Sequence, residues 1–422
     1  MAVRLNALPM TGVDTLLAKE MGFDPARLAQ ITPFLRDRYV DPGLFPHAQI
    51  LVSRHGRTVL SESIGAARED GTPLAGDALF RLASMTKPVT SVAFMMLVEQ
   101  GLTTLDQPVQ DVIPELRDTG VYADGGGDEP FVTTPAAGPM RMIDLLRHTS
   151  GLTYGLQHRG AVDQAYRTLG LDSFRPQWTS DQFMAVMAEP PLLFSPGASW
   201  NYSMATDVLG VVVERLSGMS LEAFFAERIF GPLGMADSFF QLPDDRTDRL
   251  TDAWSAEPGK PPVLFDRGGK SRWRMPDRFY SGGAGLLSSA ADYHRFCRML
   301  LCGGALDGVR LLSSETVALM TANHLSGGGD LSQFPHSVFG EPQNAGIGFG
   351  LGFAVTMDPA KAGLPGTPGE FYWDGLFSTS FFVDPVEHLI CIFMTQVMPS
   401  FAFSIRRELK ALIYSALSET YL

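Results

Sequence analysis

From Asp14 to Tyr39 the apolar positions Leu16, Leu17, Met21, Leu28, Ile31 and Leu35 fall mostly at helical spacing, which predicts a helical entry segment. The pattern then changes. Ala48–Arg54 and Arg57–Ile64 are rich in β-branched residues, and the two-residue His55-Gly56 link between them predicts a hairpin. Helical patterns return over Thr86–Gln100, stopped by Gly101, and over Asp144–His148. Two more follow, Thr206–Leu216 closed by Gly218 and Leu221–Ile229 closed by Gly231. Between these lie Gly/Pro/Asp-rich stretches, Asp118–Pro139 and Pro243–Pro276, which read as long loops of the kind that shape a site. Gly125–Gly127 and Gly327–Gly329 read as flexible loops. Strand patterns come back at Gly350–Val355, Glu370–Trp373, Thr379–Asp384 and His388–Gln396, and Ser404–Tyr421 reads as a closing helix.

Strands at both ends with helices between them predict an α/β (α+β) architecture in which both termini build one antiparallel sheet. The boundaries are residues 1–90 with 275–422 for the sheet domain and 91–274 for a mostly helical insert, with the site in the cleft between them. At 422 residues and 45% apolar composition the chain can bury a large core, which excludes a disordered or fibrous protein. The net charge of −13 disfavours a nucleic-acid partner or an anionic membrane surface. Cys297, Cys302 and Cys391 form no C-x-x-C pair and read as small buried hydrophobes in a reducing compartment. No apolar run approaches the roughly 20 residues of a membrane span, and no leader is evident near the start, so the expected location is the cytoplasm.

Three short stretches carry candidate chemistry. In Ser84-Met85-Thr86-Lys87 the serine and lysine lie three residues apart at a helix start, so the amine can reach the hydroxyl. A serine becomes a nucleophile only when a base takes its proton, and a lysine of depressed pKa can be that base. Of the six lysines, only Lys87 has a serine three residues before it. Trp200-Asn201-Tyr202-Ser203-Met204 places a phenol at the entrance of the next helix, where it can shuttle protons. Glu370–Phe377 followed by Thr379–Asp384 reads as strand, glycine and strand, the glycine allowing close backbone approach. Each alone has a plainer reading: an ordinary helix start, an aromatic anchoring a loop, a simple hairpin.

Taken in order, the three resemble the serine β-lactamase and penicillin-binding protein superfamily, and within it the class C-like esterase branch, the family VIII carboxylesterases. Leu145–Leu152, Trp200–Gly210, Ser281–Leu287 and the hairpin near residues 48–65 extend the likeness over about residues 25–415. The resemblance implies a β-lactamase-like sandwich with an antiparallel sheet and an inserted helical domain. It also implies a serine hydrolase that cleaves small carboxylic esters, with short acyl chains, through an acyl-enzyme, using neither cofactor nor metal. Ser84 is then the nucleophile, Lys87 its proton acceptor and Tyr202 the partner in proton transfer. The backbone N–H groups of Ser84 and Leu376 form the oxyanion hole. Trp373, Asp374 and Gly375 line the substrate cleft where β-lactamases carry K-T-G, and Met204 stands where many of them have an asparagine. An indole and a carboxylate in place of a cation weaken a β-lactamase or D-Ala-D-Ala peptidase reading. The same superfamily also holds acyltransferases, which pass the acyl group to an alcohol, and non-catalytic binding or filament-forming homologues. The presence of Ser84, Lys87 and Tyr202 together argues against a non-catalytic chain.

Competing sites lack their residues. The sequence has no G-x-S-x-G, H-E-x-x-H, Walker A or dinucleotide-binding pattern. His148 reads as structural, because a Ser/Lys/Tyr site needs no imidazole.

Overall fold

The computed structural model describes residues 12–174, 177–257, 259–334 and 344–421. The first eleven residues, part of the stretch in which a leader would stand, and Pro258 of the long loop lie outside the described residues.

The sheet is built from both ends of the chain. Its strands are β1 (Gly12–Val13), β2 (His47–Arg54), β3 (Arg57–Gly65), β4 (Ile347–Phe349), β5 (Ala354–Thr356), β6 (Phe371–Asp374), β7 (Ser380–Asp384) and β8 (Leu389–Met394). They lie in the order β1-β3-β2-β8-β7-β6-β5-β4, every neighbour antiparallel. β2 and β8 run side by side at the centre and are buried along their whole length.

Because successive strand residues point to opposite faces, these runs feed two cores. Leu51, Phe381, Val383, Ile390 and Ile392 join the core beneath helices α1 (Thr86–Glu99), α2 (Ala205–Ser217) and α3 (Ala290–Leu301). Ile50, Val52, Phe382, Cys391 and Phe393 join the other, covered by the entry helices and by α4 (Ile405–Ser415). Burying each of these side chains contributes about 1.5–3 kcal/mol. The antiparallel sheet flanked by helices is the expected α/β sandwich.

Several elements differ from expectation. The entry segment is three short helices, Thr15–Glu20, Pro25–Leu28 and Ile31–Leu35, the last running into a wider turn to Val40. Gly22 at φ +74° ends the first, and Asp24, followed by Pro25, caps the second. Gly350–Val355 is not one strand. Gly352 at φ +100° turns the chain between β4 and β5. The Asp118–Pro139 loop contains a hairpin, Val121–Gly126 with Glu129–Thr134, turned at Gly127-Asp128, and Gly125–Gly127, all at positive φ, shape the end of its first strand and the turn. Its first strand is mostly half-buried and its second mostly exposed, with Val121, Tyr122 and Phe131 packed against the core, so no period-two apolar signal marks them. Helix α3 is not among the predicted elements. Cys302 is exposed at its end, unlike the buried Cys297 and Cys391. Among the described residues no helix is long and apolar enough to cross a membrane.

Candidate active site

Ser84 sits in a tight turn, Ala83–Met85, between the short strand Phe80–Arg81 and α1. Ala83 takes φ +45°, a left-handed conformation that costs an alanine about 1 kcal/mol and swings the next residue outward. The turn is pinned from three sides. Leu82 N–H donates to Leu286 O at 2.9 Å, Leu286 N–H to Thr86 Oγ1 at 3.2 Å, and Tyr293 Oη to Met85 O at 2.9 Å. On the remaining side Gly375 packs directly on the Leu82 carbonyl. A Cβ there would lie 2.2 Å from Leu82 O and 2.2 Å from Thr379 Oγ1, so only glycine fits.

Lys87, in the first turn of α1, is fully buried. Its Nζ lies within hydrogen-bond distance of Ser84 Oγ at 3.1 Å, Tyr154 Oη at 3.0 Å and Gly283 O at 2.8 Å. The Nζ also lies 4.7 Å from the centre of the Tyr202 ring. Burial lowers the amine to about 7, against a smaller upward pull from Asp207. Tyr202 is likewise buried, and burial raises its phenol well above the ordinary value, with Ser84 and Trp373 acting in the opposite direction through hydrogen bonds. At neutral pH the phenol holds its proton while the amine is poised to lose one.

The structure therefore brings Ser84, Lys87 and Tyr202 together. Trp373 is buried with its ring 5.3 Å from Tyr202, and Met204 lines the same cavity. Asp374 lines it too, but its carboxylate is ion-paired with Arg406 from α4, so it does not present a bare negative charge. In the turn after β6, Gly375 N–H donates to Thr379 O at 2.8 Å and Ser378 N–H to Gly375 O at 2.9 Å. The Leu376 N–H takes part in neither bond. His148 is buried, with Nδ1 3.2 Å from Ser203 Oγ, and burial beside Lys87 holds it neutral.

Two functional pieces escape the sequence reading. Tyr154 follows the Leu145–Leu152 stretch and meets Lys87 in space, 67 residues away along the chain. The Ser281–Leu287 stretch enters that reading only through the family likeness, yet its Gly283 carbonyl is the nearest acceptor of Lys87. Around these groups lies a cavity of about 790 Å³, whose wall near Ser84 includes Leu156, Leu171, Phe174, Met204, Phe279 and Trp373. This size suits a drug-sized ligand with a mostly apolar surface.

The family model for beta-lactamase matches residues 36–415, nearly the whole chain. The chain belongs to the β-lactamase family. Among curated relatives it is 34% identical to esterase EstB of Burkholderia gladioli over 393 residues, 88% of this chain and 91% of that one. It is 38% identical to protein Rv1367c of Mycobacterium tuberculosis over 364 residues, 85% of this chain and 88% of that one. Among solved structures it is similar to EstCE1, a hydrolase with promiscuous acyltransferase activity. The TM-score is 0.77 at 28% identity, over 93% of this chain and 99% of that one.

Proposed function

We propose that this protein is a carboxylesterase of the family VIII type that works through an acyl-enzyme on Ser84, in the cleft between the sheet unit (1–90 with 275–422) and the helical unit (91–274). One observation carries the mechanism: the partners of Lys87 Nζ. A neutral amine has two N–H groups and one lone pair. With Tyr154 Oη at 3.0 Å and Gly283 O at 2.8 Å taking the two N–H groups, the lone pair is left for Ser84 Oγ at 3.1 Å.

Ser84 passes its proton to Lys87 as Oγ bonds to the ester carbonyl carbon, and the carbonyl oxygen becomes an oxyanion facing the Ser84 and Leu376 N–H groups. The tetrahedral species collapses by breaking the bond to the alcohol. The leaving alkoxide takes the Tyr202 proton, and the Lys87 ammonium replaces it. A water then repeats the sequence on the acyl-enzyme, giving the acid and restoring Ser84.

The esterase reading over β-lactamase rests on Trp373 and on the Asp374–Arg406 pair, which leave no unpaired cation at this strand for a substrate carboxylate. The test is kcat/KM for p-nitrophenyl butyrate against a chromogenic cephalosporin. The ester should be strongly preferred, and an equal or higher value for the cephalosporin would reverse the assignment. The apolar cavity also favours acyl transfer as a second activity. Adding 1-butanol to the assay should then give butyl butyrate alongside butyrate.

A further inference from the structure

Asp207 lies outside the Ser84–Lys87–Tyr202 group, yet its contacts lead there. It occupies the first turn of α2, five residues after Tyr202, and is only 2% exposed. Asp207 Oδ1 accepts hydrogen bonds from Ser281 Oγ and from Gly283 N–H, the latter at 3.1 Å. The carbonyl of that same Gly283 accepts from Lys87 Nζ at 2.8 Å. Close approach depends on the glycine, since a Cβ on Gly283 would lie 2.2 Å from Asp207 Oδ2. A buried carboxylate is costly unless it is hydrogen-bonded and has a cation nearby.

The groups around Lys87 come from every side of the pocket: Ser84 from its own turn, Tyr154 and His148 from the 147–157 segment, and Tyr202 and Asp207 from the entrance of α2. Asp172 stands behind Tyr154, where it accepts from Gly155 N–H at 3.1 Å. His148 is neutral and both phenols are protonated, so Asp207 is the carboxylate placed to balance an ammonium at Lys87.

We propose that Asp207 is a positioning residue: it holds Gly283 by its N–H so that the Gly283 carbonyl fixes Lys87 Nζ, and it supplies the counter-charge for the ammonium formed during acylation. The proposal rests on Lys87 being the proton acceptor of Ser84. In keeping with it, burial pulls the amine down while Asp207 pulls it up, and burial raises the Asp207 carboxyl while Lys87 pulls it down.

The test follows the rate of Ser84 labelling by a fluorophosphonate against pH, together with kcat and KM for p-nitrophenyl butyrate. In the wild type, labelling should fall as pH drops through about 7, where Lys87 takes up a proton. Asp207→Asn keeps the side-chain shape and removes the charge. Its acid limb should move down by about one pH unit, and kcat should fall about tenfold or more with KM little changed. Asp207→Glu keeps the charge but displaces the clamp, so kcat should fall while the limb stays near its wild-type position. A limb unmoved in Asp207→Asn, with activity merely reduced, would overturn the proposal. So would a Glu variant with wild-type kcat, which decides the matter even if the Asn variant does not fold. A wild-type profile with no acid limb between pH 5 and 9 would instead overturn the reading of Lys87 itself.

Discussion

At the scale of single residues the site is a set of compromises between burial and chemistry. Lys87 is an amine in an apolar interior, and its lowered pKa leaves it able to be neutral near pH 7, as the proposed role of proton acceptor requires. Methionine has a similar volume and needs no hydrogen bonds. Lys87→Met should therefore lower ester hydrolysis by roughly a thousandfold or more, and because it leaves Asp207 and the Gly283 carbonyl without their cation, Tm should fall as well. Near wild-type turnover in Lys87→Met would contradict the proposed role of the amine. Tyr154 takes one of the two N–H groups of the neutral amine, so Tyr154→Phe frees that N–H and lets the lone pair turn away from Ser84. We expect kcat to fall about 10- to 100-fold with KM nearly constant, and steady-state kinetics would check it. Ser84, Lys87 and Tyr202 were legible in the sequence because S-x-x-K and a tyrosine at a helix entrance are local patterns. Tyr154 and Asp207 were not, because their contacts with Lys87 and Gly283 span tens of residues of chain and no spacing rule records them.

At the scale of elements, the turn that carries Ser84 is held in place by the strand beside it. Gly375, just after β6, packs on the Leu82 carbonyl, so the proposed nucleophile Ser84 and the proposed oxyanion donor Leu376 are set by one backbone contact. Gly375→Ala should force the two apart, abolishing activity and destabilising the fold by about 1–3 kcal/mol, measurable by urea unfolding. A Gly375→Ala enzyme of normal activity would show that this contact does not position the site. The long strands and α1 were readable because each is a strong period-two or helical run. The Val121–Thr134 hairpin and the β4–β5 turn were not. The hairpin buries too little to need an apolar pattern, and the turn is decided by one positive-φ glycine inside an apolar run.

At the scale of the whole molecule, both ends of the chain build the sheet, and the last helix reaches back to tune the cleft. Arg406 on α4 neutralises Asp374 on β6. Arg406→Ala should leave that carboxylate exposed to the cavity, so kcat/KM for an ester bearing a carboxylate should fall severalfold more than for a neutral ester of similar size. Equal losses on both substrates would mean that the pair has no part in selectivity. The antiparallel sheet formed from the two ends of the chain was legible from the order of strand and helix patterns. The Asp374–Arg406 pair was not, because no sequence rule joins a strand end to a helix 32 residues later. The central claim is that Ser84 carries the acyl group, and mass mapping of enzyme quenched during turnover of p-nitrophenyl butyrate tests it most directly. A butyryl group should appear on the peptide holding Ser84 and vanish, with turnover, in Ser84→Ala. A butyryl group on another residue, or turnover that persists in Ser84→Ala, would contradict it.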